Sequence, residues 1–307
     1  MNGVFALQRA IDFIEEHLTE PIDYGDVAGQ IYCSTYHFQR MFRAVTGYTL
    51  GEYIRFRRLS MAGRELQNTQ IGILQLALKY GYDSPESFSR AFRKFHGVNP
   101  SAVRKNKVVL KVVLNDFGRF QIYCNEKDGE QMNYQMIQAE EMHFIGYKTH
   151  FSGIPSERSQ QEEDFFVHTR LQQFALNGLV KDCETLYTLV TNVDDKGYDF
   201  YIAQRYAQEG CWLTQERYQN LAKRNPPLGD MFEEIVIPPR LYAVFQTQRS
   251  VYPTEQEEEL RKSILLEWLP GSEFELEEGI EITKMQWKMG EKRNQRYLEL
   301  WMPVKRR

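Results

Sequence analysis

Cysteine is scarce in this chain. Its four cysteines (Cys33, Cys124, Cys183, Cys211) lie far apart in 307 residues and form no CxxC pair. That spacing excludes a paired-cysteine zinc site and a disulfide framework, and it predicts a reducing, cytoplasmic setting. Long apolar runs are missing too, since none approaches the ~18 residues of a membrane span. The opening segment MNGVFALQRAIDFIEEHL carries Glu15 and Glu16 and no small-residue cleavage site, so no signal peptide is expected. Catalytic signatures are also absent: there is no HExxH, GxSxG, Walker or glycine-rich dinucleotide motif. The six histidines are scattered, and His143, His150 and His168 lack metal-ligand spacing. The expectation is a non-enzymatic chain with no metal and no cofactor.

What is present is enough for two cores. Apolar residues make up 42% and charged residues 26%, which excludes disorder throughout. At about 100–200 residues per domain the length suits two domains. The net charge of −4 conceals a split. Residues 1–107 carry 14 Lys/Arg against 10 Asp/Glu, a net of +4. Residues 108–307 carry 24 against 32, a net of −8. Counted by domain, the first third is basic and compatible with nucleic acid.

That basic third contains an internal repeat. Val4, Leu7, Ile11, Ile14 and Leu18 make one apolar helix face. DVAGQIYCSTYHFQRMFRAVTG (26–47) is followed fifty residues later by LALKYGYDSPESFSRAFRKFHG (76–97). Six of fourteen positions match: Ser34/Ser84, Phe38/Phe88, Arg40/Arg90, Phe42/Phe92, Arg43/Arg93 and Gly47/Gly97. Each unit reads as a short helix, a turn, a serine that can cap the next helix, and a longer helix ending at glycine. Leu50, Ile54, Leu59, Ala62 and Leu66 fit a helix joining the units. The reading is an all-α domain of two helix-turn-helix units over 1–107.

A helix-turn-helix lays its second helix in the major groove, and two units in one chain can read grooves about 34 Å apart without dimerising. Ser34, Tyr36, Gln39 and Arg40 stand near the front of the first such helix, and Glu86, Ser87 and Arg90 in the second. Arg suits guanine, Gln suits adenine, and Glu can accept from cytosine N4. Arg43, Arg93 and Lys94 suit phosphates, as do the helix N-termini. A plain helical bundle with a basic face is the alternative, and the paired serine starts weigh against it.

The motifs STYHFQRMFRAVTGYTLGEYIRFRRL and IGILQLALKYGYDSPESFSRAFRKFHGVNPSAVR are those of a known family. Residues 8–105 resemble the two-unit DNA-binding domain of AraC/XylS-type transcription regulators. The resemblance implies base readers at Tyr36, Gln39, Arg40, Glu86 and Arg90. Tyr36 stands where the family often has tryptophan, and Glu86 where it often has an amide.

Residues 108–133 read as a linker, with VVLKVVL and RFQIYC flanking an NDFG turn as a candidate hairpin. From 134 to 307 the order strand–helix–strand–strand occurs twice. MIQAEEMHFIGYKTHF and IVIPPRLYAVFQTQ read as the opening strands, and Ser159-x-x-Glu162 and Thr254-x-x-Glu257 as capping boxes. ETLYTLVTN, DFYIAQRYAQ, IEITKMQWKM and RYLELWMPV complete the strands. The expected fold is an antiparallel α+β domain of duplicated units.

In YLELWMPV, alternation places Tyr297, Glu299 and Trp301 on one face and Leu298, Leu300 and Met302 on the other. A carboxylate between aromatics would favour a flat organic cation, although an ordinary solvent-facing acid has the same spacing. IPPRLYAVFQ, ILLEWLPGSEFELEEG and YLELWMPVK resemble the GyrI-like effector-binding domain found in multidrug-sensing regulators. That resemblance implies ligand contact at Glu299, with Trp301 and Tyr242 as walls. Tyr147, Tyr201 and Trp268 are further ligand candidates, although strand aromatics are more often core. The domain order resembles Rob-type AraC regulators. The expectation is a cytoplasmic regulator of double-stranded DNA that senses an aromatic or cationic small molecule, with RNA polymerase as a further partner and no membrane association. The alternatives are a GyrI-like hydrolase with Glu299 as base, or a protein-interaction domain, fused to the DNA-binding module.

Overall fold

The computed structural model describes residues 3–103, 110–113, 134–153, 155–194 and 197–307. The chain divides into two compact units, Met1–Glu126 and Lys127–Arg307. The candidate hairpin falls on residues of which all but 110–113 lie outside the described ones, and 110–113 have no regular structure. No described helix is long and apolar enough to cross a membrane.

The first unit is helical: α1 (Gly3–Glu16), α2 (Tyr24–Gly29), α3 (Thr35–Thr46), α4 (Leu50–Asn68), α5 (Ile73–Lys79), α6 (Pro85–His96) and α7 (Pro100–Val103). The repeat is realised element by element, with α2–α3 and α5–α6 as its two copies. Helices α3 and α6 both end at a left-handed glycine, Gly47 at φ 75° and Gly97 at φ 79°, a conformation that costs residues with a Cβ. Phe38, Phe42, Phe88 and Phe92 are completely buried, as their i, i+4 spacing requires. Helix α4 joins the copies. Thr49 and Glu52 close a capping box at its start, and Leu50, Ile54, Leu59, Ala62 and Leu66 face the core. Arg57 of α4 forms a buried ion pair with Glu15 of α1, which also accepts the Tyr53 hydroxyl at 3.0 Å. This ties the leading helix to the scaffold, because a buried charge is tolerated only when paired.

The second unit is a nine-stranded antiparallel sheet with helices. Its elements are β1 (Tyr134–Ala139), β2 (Met142–Phe151), α8 (Pro155–His168), α9 (Arg170–Val180), β3 (Thr185–Asp194), β4 (Gly197–Tyr206), α10 (Gln215–Arg224), α11 (Pro226–Met231), β5 (Glu233–Ile237), β6 (Arg240–Gln246), α12 (Glu257–Ser263), β7 (Phe274–Leu276), β8 (Glu281–Gln286) and β9 (Tyr297–Arg306). The strand order is β1-β6-β9-β8-β3-β4-β2-β5, with β7 on β9.

Several expectations are corrected. MIQAEEMHFIGYKTHF is two strands, broken at Glu140-Glu141: β1 pairs with β6, while β2 lies between β4 and β5. IVIPPRLYAVFQTQ is likewise two strands, β5 and β6, broken at Pro238-Pro239, where two successive residues have no N–H for the ladder. Each opening strand thus sends its first half into the other half of the sheet. Neither proposed capping box starts a helix. Ser159 lies inside α8, and Thr254 lies in a 3-10 turn (Pro253–Gln256) before α12, whose N-cap has no side-chain bond. Helix α12 runs on through a π turn, Ile264–Trp268, and ends at Leu269–Gly271.

The sheet buries both faces. Ile145, Tyr147, Phe151, Phe200 and Ile202 pack with Leu176 and Val180 of α9 and Tyr218 of α10. Phe144, Leu189, Tyr201, Ala203, Tyr242, Val244 and Ile282 form the second core on the opposite face.

Candidate DNA interface and effector face

In the first unit, serine caps fix the starts of α3 and α6. Ser34 Oγ accepts from the His37 backbone N–H at 3.2 Å, and Ser84 Oγ from that of Ser87 at 3.1 Å. Such a cap satisfies an N–H that the helix leaves orphaned. The Ser87 hydroxyl donates to the Ser84 carbonyl at 2.9 Å, so it serves the turn. Burial of His37, Phe38, Met41, Phe42 and Val45 turns Tyr36, Gln39, Arg40 and Arg43 toward the opposite side of α3. On α6, Glu86, Arg90, Arg93 and Lys94 are all exposed.

The two helices differ at matched positions. Arg40 is half-buried and donates from Nη1 to the Tyr36 hydroxyl at 2.9 Å, its guanidinium 5.4 Å from the Tyr36 ring centroid. Arg90 is exposed and has no ion pair with Glu86 one turn before it. Arg90, Arg93 and Lys94, with Ser89 and Asn99, line an open hollow of about 510 Å³. Three cations around a hollow at a helix surface suit a phosphate backbone.

In the second unit, the register sets three rows across one sheet face. Gln246, Glu299, Lys284, Tyr187 and Ala203 face one another across β6, β9, β8, β3 and β4. Beside them runs an apolar row of Val244, Trp301, Ile282, Leu189 and Tyr201. On the other side stand Tyr297 and Gln286, with Arg205 opposite Phe144.

Glu299, Trp301 and Tyr242 come together as expected. Tyr242 meets Trp301 edge-on at 5.7 Å, and the Trp301 indole N–H donates to Glu299 Oε2 at 3.0 Å. The Glu299 side chain is only 17% exposed, so it is not an ordinary surface acid. Other candidates do not join them. Tyr201 shares the face but lies three strands away, roughly 14 Å at normal strand spacing. Its hydroxyl donates to Glu233 at 3.4 Å, and Lys148 sits 5.3 Å from its ring centroid. Tyr147 is on the opposite face, its hydroxyl donating to Thr169 Oγ1 at 3.1 Å. Trp268 packs on Phe245 at 4.8 Å, and Phe245 alternates with Val244 on β6, so the sheet separates Trp268 from Glu299.

Sequence reasoning missed two neighbours. Lys284 Nζ lies 3.2 Å from both oxygens of Glu299. Tyr187 stands next in the row, packed edge-on against Phe144 at 5.2 Å. Burial pushes the Tyr187 hydroxyl up to about 12, with Arg205 opposing and Glu299 reinforcing the shift. Alternation in IEITKMQ places Lys284 beside Ile282 on one face. Only the pairing of β8 with β9 brings it to Glu299. Among the described residues no cluster of three His, Cys, Asp or Glu could hold a metal ion.

Residues 27–106 match the family described as a helix-turn-helix domain. The regulatory protein SoxS of Salmonella typhimurium is 44% identical over 98 residues, covering 32% of this chain and 92% of SoxS. The transcriptional regulator Rob of the same organism is 42% identical over 106 residues, covering 34% of this chain and 37% of Rob. A solved regulator with an AraC-type DNA-binding domain from Chromobacterium violaceum is 27% identical, covering 33% of this chain and 91% of that one, at a TM-score of 0.32. The match to nearly the whole of SoxS falls on a chain that folds as two capped helix-turn-helix copies on one scaffold helix. The chain belongs to the AraC/XylS family of DNA-binding transcription regulators.

Proposed function

We propose that this regulator reads its operator with both α3 and α6 and adjusts its activity through a small aromatic effector held on the second unit. Tyr36, Gln39, Arg40, Glu86 and Arg90 are the base readers. Arg43, Arg93, Lys94 and the capped starts of α3 and α6 at Ser34 and Ser84 grip phosphates. Ser87 contributes by holding the α6 start in place. The second unit is a GyrI-like effector domain, a reading supported by its strand order, in which the two halves exchange their first strands.

One observation carries the sensing role. Glu299, mostly buried, is held by the Trp301 indole on a sheet face walled by Tyr242, Tyr187 and Tyr297. A buried carboxylate with fixed partners among aromatic rings is the kind of polar anchor that orients a ligand in an apolar site. Its ion pair with Lys284 fixes the carboxylate from a second side. An effector acts only by binding two states of the protein unequally.

The test couples the two units. An operator is selected with the full chain, and its affinity is measured by anisotropy with and without a neutral probe, naphthalene-2-carboxamide. The reading predicts a change in operator affinity that is weakened in Trp301→Phe. A shift equal in wild type and Trp301→Phe removes this face from the mechanism.

A further inference from the structure

The sequence pattern around Glu299 suggests a flat cation, but the neighbours of Glu299 already supply the cation. Lys284 Nζ is 3.2 Å from each Glu299 oxygen, and the Trp301 N–H occupies Oε2 as well. An incoming cation would have to displace Lys284, leaving a mostly buried ammonium without its partner. The same face carries a second cation. Arg205 lies opposite Phe144, close enough to Tyr187 to lower its hydroxyl's proton affinity, and has no ion pair among the described residues. Of the other charges nearby, Lys148 and Glu233 pair at 3.3 Å, Asp182 acts on the Tyr187 hydroxyl from just before β3, and Arg249 lies over the Tyr297 ring at 5.6 Å. Lys284 already has Glu299 as its partner, so Arg205 is the cation on this face that still lacks an ion pair among the described residues.

We infer that the effector is an aromatic acid, a flat compound bearing a carboxylate, whose anion lies over Tyr187 between Lys284 and Arg205. This rests on the effector reading of the Glu299 face. Tyr187 on β3 lies opposite Lys284 on β8 and Ala203 on β4, and Arg205 stands two residues along β4 from Ala203, so the two cations lie roughly 12 Å apart at the backbone. Their long side chains can close on one anion from both sides. Lys284 stands between that anion and Glu299, which limits their repulsion. The Trp301 and Tyr297 side chains offer the ring its walls on the β9 side. Glu299 in this arrangement is the internal counter-ion that holds Lys284 in place while no effector is bound.

Two probes of the same shape and opposite charge decide the matter. 2-Naphthoate and 2-naphthylmethylammonium are titrated calorimetrically into the full chain and into Lys284→Gln, Lys284→Arg, Arg205→Gln and Trp301→Phe. Wild type is expected to bind the naphthoate about tenfold more tightly than the ammonium, as one half-buried ion pair allows. Lys284→Gln and Arg205→Gln each lose about tenfold for the naphthoate, and Lys284→Arg keeps it. Lys284→Gln gains affinity for the ammonium, because Glu299 is released. If wild type prefers the ammonium and Trp301→Phe weakens that binding, the site stands and the inference on charge fails. If neither probe binds, or Trp301→Phe changes nothing, the effector reading fails and takes the inference with it.

Discussion

Arg40 and Arg90 hold the same place in a fifty-residue repeat but live in different surroundings. Arg40 is half-buried and bonded to the Tyr36 hydroxyl one turn back. Arg90 is exposed, with Glu86 one turn back and no bond between them. The cores beneath are alike, since Phe38, Phe42, Phe88 and Phe92 are all fully buried. Duplication has thus kept the scaffold and let the outer surfaces of α3 and α6 diverge. An arginine preset by a tyrosine loses less freedom on binding but must give up a bond to turn. An unrestrained arginine pays the ordering cost and keeps its full choice of partner.

Phe42→Ala and Phe92→Ala should each cost about 3–5 kcal/mol of stability in urea melts, and by similar amounts. A large inequality would show that the two scaffolds are not equivalent. Next comes the reading surface. Arg90→Ala should cost about 1–3 kcal/mol of operator affinity and relax preference at one base pair. Arg40→Ala should cost less, because the Tyr36 bond offsets part of what the base contact supplies. Tyr36→Phe, which frees Arg40, should alter preference at the Arg40 base. Equal loss on all sequences would make either arginine a phosphate contact.

The smallest effect separates the copies by pH. Thr46 of the first copy is replaced by His96 in the second. His96 is buried, and its Nε2–H donates to the Leu59 carbonyl at 3.0 Å. Burial, helped by Lys111, holds its proton affinity below the ordinary imidazole value of 6.5. The unfolded chain therefore binds the proton more readily than the folded one. Stability from this residue is full above about pH 6.5 and is lost as pH falls toward the folded value. Urea midpoints at pH 7.5 and 5.5 should differ more in wild type than in His96→Gln. Identical pH dependence would exclude His96 as the cause.

The first unit was legible in the sequence because its signals are local. A serine cap, a glycine stop and an i, i+4 phenylalanine pair each operate within about four residues. The sheet was legible only within strands. Alternation separated Glu299 and Trp301 from Leu298 and Leu300, and the burial pattern of β9 agrees. It could not say that Tyr147 and Tyr201 lie on opposite faces, because that depends on how β2 pairs with β4. Nor could it show the exchange of β1 and β5, where Glu140-Glu141 and Pro238-Pro239 break what read as continuous strands. Lys284 was hidden for the same reason, since its importance rests on a cross-strand partner fifteen residues away.

If the two unequal copies of one motif both read DNA, each must leave its own mark on a single operator. Hydroxyl-radical footprinting of the full chain on its selected operator tests it directly. Two protected patches about 34 Å apart are expected. Arg90→Ala should erode the α6 patch and spare the other. A single patch, or two that fade together only on loss of a dimer, would contradict it.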